Sequence, residues 1–256
     1  MHRQSPSYVL IAALLLSLTV VAGAQEEEAT SFVYATYFVC DVSKQDRVDD
    51  IVNNAYAPAY DAAVEAGTIS SWGWLAHHTG NQWRRLLYYS APSVDALFAA
   101  PDAINPTIDK AHPSANLVFG EICNEHEDYI WQVGTGSAGA GLISRERGKV
   151  GISVYYYCTM SDEERADEIV EASLGPIYNK HVKAGNISSW GWLKHYFGGK
   201  WRRVATMTAP DLKALFAARD AIYEDITQNA EAASDEFGGI CGSHQDLLWE
   251  IVHETP

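Results

Sequence analysis

Basic residues are scarce in this chain. Its 18 Lys and Arg stand against 33 Asp and Glu, a formal charge of −15. Nucleic acid and anionic membranes are therefore poor partners, because both must be met with Lys and Arg. The one sustained apolar run, Tyr8 to Val21, is too short to span a membrane. No Walker loop, Gly-x-Ser-x-Gly elbow or His-Glu-x-x-His occurs, which argues against P-loop chemistry, α/β-hydrolase catalysis and zincin chemistry. Cysteine is limited to four residues. Aromatics are plentiful, with eight Trp and fourteen Tyr in a chain that is 47% hydrophobic, ample material for a packed core.

The N-terminus has a short polar region with Arg3, the apolar run, and Ala22-Gly-Ala24 before Gln25. This is the layout of a secretory signal peptide with an Ala-x-Ala cleavage site. Residues 1–24 are expected to be removed, giving a soluble periplasmic or secreted protein that starts at Gln25 and has no membrane contact after cleavage.

The body of the chain contains one unit twice. Ser31 to Gly134 aligns with Lys149 to Val252 at a constant offset of 118, without a gap. Ile69-Ser-Ser-Trp-Gly-Trp-Leu75 recurs as Ile187-Ser-Ser-Trp-Gly-Trp-Leu193, and Trp83-Arg-Arg85 as Trp201-Arg-Arg203. A period near 100 residues marks a duplicated domain and no solenoid. The expected division is a repeat over 25–134, a Gly/Ser-rich linker over 135–148 and a second repeat over 149–256. The linker's r.m.s. reach is on the order of 20 Å.

Each repeat reads β-α-β-β-α-β. Val33 to Cys40 is strand-like, and Ser43 and Ser161 are the expected caps of the first helices. Pro58 and Pro176 should kink or split those helices, and Gly67 should close the first. Ile69 to His78 and Trp83 to Ser90 are strands turning at Gly80. Pro92 opens a second helix, irregular to about Leu117, and Asp128 to Val133 is the closing strand. The expected fold class is α+β: two ferredoxin-like repeats of strand order 4-1-3-2, packed sheet to sheet as a pseudo-dimeric barrel and monomeric in that form. This pattern, with its Trp-rich second strand, resembles the dimeric α+β barrel superfamily of antibiotic-biosynthesis monooxygenase-like, NIPSNAP-like and chlorite dismutase-like proteins. No family motif matches residue by residue, so the resemblance assigns no catalytic positions.

In a 4-1-3-2 sheet, the ends of strands one and two and the starts of strands three and four share a rim. Cys40, His77, His78, Trp83, Arg84, Arg85, Cys123 and His126 fall there, with Cys158, His195, Trp201, Arg202, Arg203, Cys241 and His244 in the second copy. Antiparallel neighbours bring Cys40 to Cys123 and Cys158 to Cys241, so these are the favoured disulfides of the three possible pairings. The rival reading makes Cys123 with His126, and Cys241 with His244, half-sites for a metal. His77, His78 and His195 are candidate general bases. One Arg of Arg84/Arg85 and of Arg202/Arg203 should hold an anionic group, and the other should pair with helix acids such as Asp46 or Glu164. Trp74 and Trp192 are candidate pocket walls, or else core. The first rim is the more polar, with His78, Thr79 and Asn81 against Tyr196, Phe197 and Gly199.

These readings lead to a small-molecule-binding barrel without a cofactor, whose enzymatic form would be an oxygenase or isomerase on an aromatic or lipophilic compound. The alternatives are a haem- or transition-metal-binding barrel using His126 or His244, and a non-catalytic interaction module whose interior is filled by its own aromatics.

Overall fold

The computed structural model describes residues 31–138 and 148–255. The expected signal peptide lies outside these residues, as does most of the expected linker. The first half runs through β1 (Phe32–Val39), α1 (Gln45–Ile51), α2 (Ala57–Glu65), β2 (Ser71–Thr79), β3 (Arg85–Ala91), α3 (Val94–Ala111), α4 (Ala115–Ile122) and β4 (Glu125–Ala138). The second repeats the order with β5 (Val150–Tyr157), α5 (Glu163–Ile169), α6 (Gly175–Lys183), β6 (Ser189–Gly198), β7 (Arg203–Ala209), α7 (Leu212–Asn229), α8 (Glu231–Ile240) and β8 (Ser243–Thr255).

The eight strands form a closed antiparallel barrel in the order β1-β3-β2-β8-β5-β7-β6-β4. Each half supplies four neighbouring strands, β4-β1-β3-β2 and β8-β5-β7-β6. The halves join edge to edge, β2 on β8 and β4 on β6. Closure leaves no strand edge unpaired, which a stack of two separate sheets would not achieve. β4 runs to Ala138, into the stretch expected as linker, because β6 offers its edge as far as Ser189. At Gly136 a Cβ would come within 2.7 Å of the Trp190 carbonyl, so glycine permits this close pairing.

Alternation along each strand separates two environments. Phe38, Trp72, Trp74 and Tyr89 face outward into a core shared with α1 to α4, and Trp190 and Trp192 do the same beneath the helices of the second half. Ala35, Tyr37, Leu75, Trp83, Leu86, Tyr129, Trp131, Tyr155, Trp201, Val204, Leu247 and Trp249 face inward and fill the barrel. Pro58 and Pro176 lie in the first turns of α2 and α6, and one π-helical turn, Val52–Tyr56 or Val170–Leu174, divides each from the helix before it. Asp41, not Ser43, caps the start of the first helical segment by accepting from the Ser43 N–H. Gly67 and Gly185 follow α2 and α6 at φ +72 and +75, the left-handed conformation glycine supplies without strain. Disulfides Cys40–Cys123 and Cys158–Cys241 tie the end of β1 to the end of α4 and the end of β5 to the end of α8. No described helix is long and apolar enough to cross a membrane.

Candidate functional site

Thr79, ending β2, pairs with Leu248 near the start of β8, and Gly198, ending β6, pairs with Tyr129 near the start of β4. The polar rims of both halves therefore lie at the same end of the barrel, on opposite sides of it. Trp83 and Trp201 plug this end. Trp83 stacks on Tyr37 at 4.3 Å between ring centroids and meets Tyr155 edge-on at 5.4 Å, while Trp201 lies 6.2 Å from Tyr155. Burial raises the pKa of Tyr37 and of Tyr155, so both phenols stay neutral. The interior is a packed aromatic core, and chemistry with solvent-borne molecules belongs to the rim.

Consecutive residues on a strand face opposite ways, and this splits the Arg pairs. Arg85 and Arg203 turn outward and are buried. Arg85 grips Asp49 through Nε and Nη2 at 2.7 and 2.6 Å, and gives Nη1 to Gln45 Oε1 at 2.6 Å. Arg203 holds Asp167 at 2.7 and 2.8 Å and Glu163 at 3.0 Å. The same carboxylates accept the indole N–H groups of Trp74 and Trp192, at 2.7 and 2.8 Å. The structure thus places Trp74 and Trp192 beneath the helices and away from the barrel interior. The helix acids that meet the Arg pairs are Asp49, Asp167 and Glu163. Asp46 and Glu164, the partners anticipated from sequence, are on the solvent side.

Arg84 and Arg202 stay at the rim, and here the halves diverge. Arg202 donates from Nε to Glu163 Oε1 at 2.6 Å and from Nη1 to His195 Nδ1 at 3.0 Å, while His195 Nε2 lies 3.2 Å from the Gly198 carbonyl. Burial opposes charge on Glu163, but hydrogen bonds and charge from Arg202 and Arg203 outweigh it and hold the carboxyl below its ordinary pKa. Every polar group of this cluster is engaged. In the first half Gln45 stands where Glu163 does, and Arg84 makes no ion pair among the described residues. The Nε of Arg84, Nδ1 of His77 and Nε2 of Gln45 are buried with no hydrogen-bond partner. Burial first, then the Arg84 charge, lower the pKa of His77 and keep its ring neutral near pH 7. His195 is lowered in the same direction, mainly by burial.

His78 is exposed on a shallow groove with Lys149, Asp211, Lys213 and Glu250. Gly199 is glycine because the Tyr129 hydroxyl occupies the space a Cβ would need. Across the barrel the counterpart of Tyr129 is Leu247, and the side chain of Asn81 fits, with its carbonyl accepting the Trp83 N–H at 2.7 Å. Gln45 escaped the sequence reading. Its signal was a glutamine standing opposite a glutamate in an ungapped repeat whose Arg pair is unchanged.

The cysteines and His126 and His244, the candidate ligands for a haem or metal, do not gather into such a site. All four cysteines are in disulfides, which removes the thiolates. His126 and His244 are half exposed, at 52% and 54%, outside the packed interior, and sit 3.3 and 3.6 Å from Asp128 and Asp246. Among the described residues no three His, Cys, Asp or Glu side chains gather as metal ligands.

No protein-family model and no curated protein matches the chain. Solved structures do. An anthrone oxidase-like protein superposes with a TM-score of 0.58 at 17% identity, over 89% of this chain and 93% of its own. A protein from Fusobacterium nucleatum subsp. nucleatum assigned as a monooxygenase gives 0.60 at 9% identity over 89% and 95%. A protein assigned as a chlorite dismutase gives 0.52 at 10% over 88% and 96%. At these identities the likeness is one of fold alone. The chain has the architecture of the dimeric α+β barrel proteins.

Proposed function

We propose that this protein is an exported small-molecule-binding barrel whose binding site is the rim of the first half, around His77, Arg84 and Gln45. One observation carries the reading. Buried polar atoms of Arg84, His77 and Gln45 at this rim lack partners, as does Trp83 Nε1, while the counterparts of the first three in the other half satisfy one another. Buried polar groups are rarely left unpaired, so a cluster of them at one surface position marks a place where a ligand or ordered water completes the bonding. The filled interior argues against an aromatic guest enclosed in the barrel.

Export is supported by the two disulfides, which persist in oxidising compartments. The offset of 118 and the matching strand orders support a duplicated, ferredoxin-like pair fused into a pseudo-dimer. Mass analysis of protein recovered from the medium or periplasm should give an N-terminus at Gln25. A reduced, uncleaved protein in the cytoplasm would overturn the export reading.

A catalytic version is favoured by the neutral His77, whose buried Nδ1 has no protein partner and would accept a proton from a substrate that reached it. In it His77 serves as base for a cofactor-free oxygenase or isomerase reaction. Fragment screening by NMR on the protein with assigned His resonances tests both versions. Binders should move His77 and leave His195 in place, and His77→Ala should weaken them tenfold or more, about 1.4 kcal/mol. Equal losses from His195→Ala would indicate one symmetric site, and no loss from either would make the rim histidines structural.

A further inference from the structure

We infer that the groove beside the β2–β8 seam, at His78, is a binding site for a free α-amino acid with an aromatic side chain. It is separate from the rim around His77. The His77 ring meets Trp249 of the barrel interior edge-on, at 6.1 Å between ring centroids, whereas His78 sits at a bulge in β2 and lines the groove outside. The groove has a volume of about 560 Å³, room for one small molecule. Val150 at the start of β5, with Pro210 and Leu212 at the start of α7, forms its apolar lining. Lys149, Asp211, Lys213 and Glu250 supply charge around that lining.

The other seam shows what this place takes. At the offset of 118, His78 and Val150 correspond to Tyr196 and Phe32, whose rings meet edge-on at 5.2 Å between centroids. An imidazole and an isopropyl group replace them at the groove, so aromatic surface built into one seam is missing from the other, and a guest ring restores it. The charges differ as well. Lys149, Asp211, Lys213 and Glu250 stand where the other seam has Ser31, Ser93, Asp95 and Gln132. Asp211 is engaged as the cap of α7, accepting the Ala214 N–H at 2.8 Å. Lys149, Lys213 and Glu250 form no ion pair among the described residues. Glu250 lies directly across from Val150 on the neighbouring strand, and the Lys149 carbonyl accepts the Ile251 N–H at 2.8 Å, so charges of both signs flank the apolar lining. A ligand of one sign would meet its like there. An α-amino acid carries both, its carboxylate matching Lys149 and Lys213 and its ammonium matching Glu250. Its aromatic side chain covers Val150, Pro210 and Leu212. Neutral overall, it is not repelled by a chain of formal charge −15.

The test titrates the full mature chain with L-phenylalanine and follows the His78 ring and Val150 methyl signals by NMR. Both should shift saturably, with nuclear Overhauser contacts from the ligand ring to Val150, while Phe32 and Tyr196 stay in place. L-alanine, which lacks the ring, should bind at least tenfold more weakly. Phenylacetate lacks the ammonium and phenethylamine the carboxylate; each should bind severalfold more weakly, because exposed ion pairs are individually small. His78→Tyr with Val150→Phe should copy the other seam, fill the groove and weaken phenylalanine binding at least tenfold with the thermal midpoint retained. Lys213→Met and Glu250→Gln, at exposed positions, test the charges without repacking: the first should weaken phenylalanine and leave phenethylamine unchanged, and the second should weaken phenylalanine and leave phenylacetate no weaker. An unmoved Val150, phenylacetate or phenethylamine binding as tightly as phenylalanine, or a folded His78→Tyr/Val150→Phe chain that binds like the parent overturns the inference. A shift at His77 with Val150 unmoved supports the rim and overturns the groove.

Discussion

Arg85 and Arg203 fasten the opening helix of each half to the sheet through bidentate pairs with Asp49 and Asp167, at 4% exposure for either Arg. Removing one partner of such a pair strands the other in a water-poor site, which costs about 3–5 kcal/mol. Arg85→Met should lower urea-unfolding stability by about that amount. Arg85→Met with Asp49→Leu should recover much of the loss, because no charge is left behind. Acidification acts on the same layer. His77 and His195 have folded-state pKa values below the ordinary 6.5, so the unfolded chain binds more protons as the pH falls past that value. Their contribution is present above pH 6.5 and is lost on the way down to the folded values. Glu163, lowered from 4.5, adds stability above that pH that is lost as the pH falls through its folded value. Both terms have the same sign. Urea midpoints measured from pH 7.5 to 5 should fall with acidity, and His77→Gln should flatten that slope; a midpoint rising toward pH 5 would contradict the shifts.

Between elements, the disulfides are the strongest covalent constraint. Each bridges residues 83 apart, and closing a loop of that length in the unfolded chain is worth about 4 kcal/mol by the chain-entropy argument. Cys40→Ala with Cys123→Ala should lower the thermal midpoint by several degrees, and a reductant should destabilise the parent but not a variant in which all four cysteines are alanine. These bridges were legible in the sequence because strand order alone makes β1 and β4 antiparallel neighbours. The split at Pro58 was legible too, since proline cannot donate within a helix. The face taken by Trp72 and Trp74 was not. β2 is apolar on both sides, with Leu75 inward and the two indoles outward, so alternation gave two parities and no sign of which one faced the barrel. The pairing of Arg85 with Asp49 was likewise out of reach, because one turn of helix separates Asp46 from Asp49, and rotation about the helix axis is set by tertiary packing.

For the whole molecule, the two halves share one interior and two seams, and neither half alone can close a barrel. Residues 31–138 expressed by themselves expose the edges of β2 and β4 and half of the aromatic core, so they should associate with a second chain. Which partner they choose follows from one contact that differs between the two seams. Tyr129 of the first half projects its hydroxyl against Gly199 and accepts the Lys200 N–H at 3.1 Å, whereas Leu247 of the second half leaves room for Asn81. Two copies of the first half would set Tyr129 against Asn81, whose side chain occupies the space the hydroxyl needs. Two copies of the second would set Leu247 against Gly199 and leave a gap. Only the mixed pair fits both seams. Sedimentation of mixed fragments 31–138 and 148–255 should therefore show a one-to-one complex that outcompetes either homodimer, and Gly199→Asn in the second fragment should weaken it. Stable monomeric fragments, or homodimers as tight as the mixed pair, would show that the halves do not depend on this complementarity.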